Sequence, residues 1–477
     1  MKPLNTFEKR LLGCSMLFYV VVTILSLHLP FFSDGIVQSS IAAQWFFDND
    51  FRYFFIPEDR NPGHPPFWGM YLAGWWKIFG QSLGVSHVAM LPFLLGIAWN
   101  YFLVARFFMK DALLVFAMVL LALEPTLLAM STQVTPDIPL VFFFFLSVRS
   151  MLYERNGLQA LAMGVMPLLN TRGTMLVAVI FLSELMIIWL LKDRKPRLKA
   201  IWKYVLVGLV VLAWLGAHYF EKGWIGYNRA EMPWAAAFEP VNFKGIIRNW
   251  AVLGWRFLDF GRVALWLVAL FICMKMLREK SKFDKHLMLL IGFAAAQVLV
   301  FGPVITRYIA TLQHRYMIPA FLLFSLAIVY GLKIFQKRSA RNLCFSFIVV
   351  SLLAGHFWIY PDKISQGWEA SLAHVSYFKA REQINVYIEA QGINPDSVTA
   401  GTPLKYRYMD TNLKAVDWKM VDHDEVDVTK YPYALYSNIS NDWPDETYDM
   451  LHKNWELVVE QNTGGIVVRL FRNPAKF

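Results

Sequence analysis

The sequence predicts a mainly α-helical, polytopic membrane protein, and three observations carry that prediction. Of the 477 residues, 57% are apolar and only 17% are charged, against roughly one quarter charged in a soluble domain. Apolar runs near bilayer length recur along most of the chain. Lys and Arg collect in short clusters between those runs. The net charge of +11 therefore reads as a topology signal and excludes a nucleic-acid binder, which needs a solvated basic face.

The first run, 11–30, follows Lys9 and Arg10. Its length suits a spanning helix, and no small-x-small cleavage site precedes Ser33-Asp34-Gly35, so it reads as an uncleaved signal anchor. Further runs lie at 85–108, 112–130, 136–153, 157–170, 174–191, 201–220, 263–277, 287–305, 317–334 and 343–360. That makes about eleven spans, of which the fourth contains Pro139 and the fifth is short. Cys14, Cys273 and Cys344 fall inside apolar runs and offer neither a disulfide framework nor zinc spacing.

Counting Lys and Arg over the short loops places the N-terminus in the cytoplasm. The clusters Lys192, Arg194, Lys195, Arg197, Lys199, then Lys275, Arg278, Lys280, Lys282, Lys285, then Lys333, Lys337, Arg338, Arg341 all fall on the side of Lys2, Lys9 and Arg10. The opposite loops 131–135 and 171–173 carry only Arg172. An odd span count sends the C-terminal segment outside, to the periplasmic face of a bacterial inner membrane.

Three outside segments exceed simple connectors. Segment 31–84 opens with Asp34 and Trp45-Phe46-Phe47. Segment 221–262 mixes Trp224, Trp234, Trp250 and Trp255 with Lys222, Arg229, Lys244, Arg248 and Arg256, a composition suited to the membrane interface. Residues 361–477 turn polar, with a helical pattern from Trp368 to Ile388 that ends before Asn394-Pro395. A strand follows at 434–437, then a hairpin, 456–460 and 466–471, turning at Gly464-Gly465. The expected organisation is a transmembrane core, 1–360, and a small external α/β domain, 361–477.

An acid directly after an outward-going span can meet both a lipid head group and a water-soluble substrate. Asp34 is such an acid; by position alone an ordinary solvated loop residue describes it equally. Its context adds more. Asp34-Gly35 opening a long loop, Asn61-Pro62-Gly63-His64-Pro65-Pro66, Pro136-Asp137-Ile138-Pro139 and His314-Arg315-Tyr316-Met317-Ile318-Pro319 occur in that order and on one side. Together they resemble the membrane glycosyltransferases of the protein O-mannosyltransferase and aminoarabinose-transferase superfamily, over roughly residues 10–335.

The resemblance implies a GT-C fold and transfer of one sugar from a polyprenyl phosphate to an external hydroxyl acceptor: a protein, a lipid A-like glycolipid or a glycan. It implies Asp34 as general base, with inversion at the anomeric carbon and no general acid, because the leaving group is already a stable phosphate. It places His64 near the lipid phosphate, where the plain alternative is a neutral helix-entry residue fixed by two prolines; Arg315, whose fork suits a departing phosphate, is a second phosphate candidate, with interfacial snorkelling as its alternative. For Arg172, phosphate contact and interfacial snorkelling stand level. Asp137, Glu124 and Tyr316 are candidate supporting residues, although helix N-terminal stabilisation accounts for Asp137 equally well. Relatives often pair two acids where this chain has Asp34-Gly35, which leaves no second acid there. No cofactor is expected. A divalent cation is disfavoured, since Asp48-Asn49-Asp50 fits a cap or turn. Two other readings stay open: a surface-polysaccharide polymerase or ligase using lipid-linked oligosaccharide, and a transporter, against which stands the lack of repeated halves or broken helices.

Overall fold

The computed structural model describes residues 3–191, 201–225, 237–281, 284–364, 367, 369–416 and 418–477. The basic cluster at 192–199, Arg229, Trp234, Lys282 and Trp368 lie outside these residues.

Helix α1 (Thr6–Ser26) starts at a capping box: Asn5 accepts from the Glu8 N–H at 2.8 Å, and Glu8 accepts from the Asn5 N–H at 2.9 Å. Two short helices, α2 (Ala42–Asp48) and α3 (Phe67–Phe79), fill the first long loop. There follow α4 (Leu83–Phe108), α5 (Asp111–Leu123), α6 (Pro125–Ser131), α7 (Asp137–Leu152), α8 (Asn156–Leu169), α9 (Arg172–Leu190), α10 (Trp202–Lys222), α11 (Phe243–Arg256), α12 (Val263–Arg278), α13 (Lys285–Ile305), α14 (Ile318–Gly331) and α15 (Arg338–Gly355). Each predicted apolar run is thus helical. Among the described residues, six helices are long and apolar enough to cross a membrane, or seven if α5 and α6 form one bent span. Helix α8, with 14 residues, extends about 21 Å, short of a hydrocarbon core of roughly 30 Å.

The run 112–130, expected as one span, is broken: α5 and α6 meet at 57°. Pro125 lacks an N–H and disfavours helical backbone at the residue before it. Glu124 is accordingly extended and caps α6, accepting from the Leu127 N–H at 2.6 Å. The turn also aims Glu124 at Arg262, whose Nε donates to Oε1 at 3.0 Å. Arg262 reaches Asp259 at 3.2 Å, and Asp259 in turn holds His314 Nε2 at 2.7 Å. All four side chains are buried.

The ends of the bundle differ in chemistry. At one end Glu8 pairs with Arg106 at 2.7 Å, His286 packs against Phe107 and Phe108, and Asp284 accepts from Tyr330 at 2.8 Å and pairs with Lys333. The starts of α1 and α13 and the ends of α4 and α14 therefore meet there, among the basic loops. The starts of α7, α9 and α14 lie at the other end. Tight packing there needs glycine: a Cβ on Gly173 would come 2.1 Å from the Met166 carbonyl oxygen.

The C-terminal segment contains α16 (Ala373–Ala390), strand β1 (Val398–Ala400), α17 (Tyr408–Asn412), β2 (Val421–Asp422), β3 (Tyr433–Ser437), α18 (Asp445–Asn454), β4 (Glu456–Thr463) and β5 (Ile466–Arg472). The sheet order is β2-β1-β3-β5-β4; β2, β1 and β3 are parallel, and β5 runs antiparallel to β3 and β4. The hairpin turns at Gly464 and Gly465, with φ of 59° and 83°, a backbone region that favours glycine. Tyr377, Ile384, Leu435 and Val468 form its core, and Leu29 and Phe32 of the first loop join it. This segment docks on the site end of the bundle: the Phe31 N–H donates to the Thr411 carbonyl at 2.8 Å, and His374 Nε2 meets Thr132 Oγ1 at 2.9 Å.

Removing one partner of a buried ion pair leaves the other charge uncompensated, at about 3–5 kcal/mol. Arg262→Met is therefore expected to lower the thermal unfolding midpoint sharply. The double variant Arg262→Met/Glu124→Gln should lose less than the two single variants together; additive losses, followed by tryptophan fluorescence in detergent, would contradict the coupling.

Candidate active site

The first loop approaches the bundle through backbone and small side chains. After Ser33, itself at φ 46°, Gly35 passes so close to the loop before α7 that a Cβ would stand 3.0 Å from the Val134 carbonyl oxygen. A second acidic side chain at position 35 would meet that carbonyl. Ser39 Oγ donates to the same carbonyl at 2.8 Å and accepts from Trp68 Nε1 at 2.8 Å, tying α3 to the loop. Asp34 is thereby held at the mouth of the site, its side chain 45% exposed.

Behind Asp34 lies Arg315, whose side chain is only 3% exposed. It sits in a tight turn, His314–Met317, that leads into α14. Its Nη2 donates to Asp34 Oδ2, its Nε lies 3.7 Å from Asp137 Oδ2, and the same Nε lies 3.9 Å from Glu369 Oε1. Gln38 Nε2 also reaches Asp34 Oδ2, at 3.5 Å, so both contacts fall on one carboxylate oxygen.

Asp137, at the first position of α7, is fixed from both sides. Thr135 Oγ1 donates to its Oδ2 at 2.8 Å, and Arg172 Nη1 donates to its Oδ1 at 2.6 Å. Arg172 is aimed by Asn170, whose Oδ1 accepts from the Arg172 Nε at 3.1 Å and its N–H at 3.0 Å. Tyr316 lies beneath both arginines, 4.1 Å from the Arg172 guanidinium and 5.3 Å from that of Arg315. His64 is half-buried and joins through Thr171, Nδ1 to Oγ1 at 3.2 Å. Loss of solvation, then the Arg172 charge, holds the imidazole neutral, far below its ordinary range.

The structure thus brings together Asp34, His64, Asp137, Arg172, Arg315 and Tyr316. Glu124 is not among their contacts; it belongs to the Arg262 network, which adjoins the site through the neighbours His314 and Arg315. Asp48 accepts from Gln44 at 2.6 Å and Asp50 pairs with Lys77 beyond the end of α2, so the Asp48-Asn49-Asp50 triplet is a helix end and turn. Glu369 is an acid that sequence reasoning missed, since nothing in a polar segment distinguishes it from its neighbours. It is fully buried and faces Arg315.

No family model matches the chain, and no curated protein matches it. Among solved structures the fold is similar to the crystal structure of ArnT from Cupriavidus metallidurans in the apo state, with a TM-score of 0.51 and 15% identity, covering 96% of this chain and 98% of that one. ArnT from the same organism bound to undecaprenyl phosphate aligns with a TM-score of 0.49, at 15% identity and the same coverage. The Archaeoglobus fulgidus oligosaccharyltransferase in complex with Zn and sulfate gives 0.38 at 16% identity, covering 74% of this chain and 52% of that one. The likeness to apo ArnT extends over nearly the whole of both chains, and this chain shares its fold: a mainly helical, polytopic membrane architecture with a small C-terminal sheet.

Proposed function

We propose that the protein is an inverting glycosyltransferase that moves one monosaccharide from a polyprenyl-phosphate donor to a hydroxyl acceptor at the external face of the membrane. The observation that carries this reading is a half-exposed carboxylate, Asp34, backed by the buried Arg315 and the partly buried Arg172, which converge on Asp137. Asp34 Oδ1 accepts the proton of the acceptor hydroxyl as that oxygen attacks the anomeric carbon. The bond from that carbon to the phosphate oxygen breaks, and the phosphate leaves with the electron pair. Arg315 and Arg172 then meet the charge that grows on it, in a site where buried cations act strongly. Neutral His64 supplies a hydrogen bond instead of a charge. Asp137 keeps Arg172 and Arg315 oriented. No step requires a metal.

A lipid donor needs room for its chain. An apolar cavity of about 1000 Å³ lies among α11, α12, α13 and α14, lined by residues such as Trp250, Phe257, Ile272, Leu299, Phe324 and Ile328. Phe324 is about 9 Å along α14 from its first residue, Ile318, at 1.5 Å per residue, and Arg315 stands three residues before that start. A polyprenyl chain in this cavity would hold its phosphate near the arginines. ArnT, which shares the fold, is known bound to undecaprenyl phosphate.

The direct test offers purified protein in lipid a panel of polyprenyl-phosphate monosaccharides and reads the product by mass spectrometry; no transfer from any of them would overturn the reading. Asp34→Asn is expected to keep lipid binding and lose transfer by about 10²–10⁴, and wild-type turnover would end the general-base role. Arg315→Ala should lower kcat/KM for the donor by about 10²–10³; unchanged kinetics would remove it from the site. A C-terminal alkaline phosphatase fusion should be active in cells if the terminus is external, and inactive if it is cytoplasmic.

A further inference from the structure

The transfer described above makes no use of Glu369. This residue precedes α16, and its carboxyl is 0% exposed. Among the described residues, no other residue hydrogen-bonds to Oε1 or Oε2; the one polar group that reaches the carboxyl is the Glu369 backbone N–H. The cation facing it, Arg315, stands at 3.9 Å, within coulombic reach and beyond hydrogen-bond length. An ionised carboxylate in this position would be desolvated and poorly compensated, whereas the neutral acid costs far less. Burial accordingly pushes its pKa up to about 7, against the pull of Arg315.

Among the described residues, the other charged groups whose fields bear most on Glu369 are Asp34 of the first loop and Asp137 of α7, both acids. Of the nearby histidines, His314 is held by Asp259 at 2.7 Å. His374, at the start of α16, is pushed down to about 4 by burial and is neutral near pH 7. With Glu369 protonated, the charges of Asp34 and Asp137 balance those of Arg172 and Arg315. With Glu369 ionised, the cluster carries one negative charge in excess, at the moment when an anionic phosphate has to enter.

We propose that Glu369 is a positioning residue that controls Arg315: protonated, it leaves the guanidinium to the donor phosphate, and ionised, it competes for that guanidinium and keeps the donor out. The proton is released to water at the mouth of the site, beside Asp34. The inference rests on the polyprenyl-phosphate reading above. It also gives the C-terminal segment a task, since that segment delivers Glu369 to a site otherwise built from the helical bundle.

The sign follows from the raised pKa. The protonated form persists up to about pH 7 and is lost above it, so donor affinity should be high in mild acid and fall as pH rises. The probe is undecaprenyl phosphate methyl ester, a phosphodiester whose own charge is constant over this range. Its binding to the full-length protein in nanodiscs is read by tryptophan fluorescence. The wild-type Kd should be flat below about pH 6.5 and rise by up to about tenfold per pH unit above about 7, the limit for one proton. Glu369→Gln should hold the low-pH Kd throughout, and Glu369→Asp should keep a pH dependence. A flat wild-type profile, or an unchanged pH dependence in Glu369→Gln, overturns the proposal and leaves the glycosyltransferase reading standing. Should Glu369→Gln fail to fold, the wild-type and Glu369→Asp profiles decide. Absence of binding by the wild type at every pH overturns both.

Discussion

One buried guanidinium, that of Arg315, meets carboxylates from three distant parts of the chain: Asp34 after the first span, Asp137 at the start of α7, and Glu369 ahead of α16. A charge buried this deeply is stable only if compensated. The loops that carry those acids must therefore close on the start of α14. Other contacts serve the same closure. Gly35 lets the first loop press against Val134, and Gly173 lets α9 start against Met166. The backbone bond from Phe31 to Thr411 brings the C-terminal segment over the top.

The second buried network shares this turn. His314 points to Asp259 and Arg262 while Arg315 points to Asp34, so consecutive side chains pin the turn from two sides. The bend at Glu124-Pro125 supplies the far anchor of that network, opposite Arg262. Glu124 thus stands one network away from Arg315. The exposure gradient has a chemical meaning as well. In the proposed reading, Asp34 at 45% exposure receives the acceptor from water, while Arg315 at 3% is dry enough for its charge to act strongly on a phosphate.

Much of this was legible in the sequence. Apolar runs located the helices because burial in lipid leaves a long, unambiguous signal, and the Gly464-Gly465 hairpin appeared where alternation and turn residues agreed. Strands β1 and β2, of three and two residues, are too short for any periodicity. The break at Glu124 had a local cause in Pro125, overridden in the sequence reading by the apolarity on both sides. Asp34, His64, Asp137, Arg315 and Tyr316 were named from motifs and Arg172 from its place in a short outside loop, and the six proved to be neighbours. Glu369 could not be named, because its distinction is burial beside a cation more than fifty residues earlier in the chain.

A structure of the protein with undecaprenyl phosphate bound tests the central claim most directly. The phosphate is expected within hydrogen-bond distance of Arg315, with the lipid chain along α14 in the apolar cavity and Asp34 facing the open side of the phosphate. A phosphate held instead at the opposite end of the bundle, near Arg106 and Lys333, would contradict it.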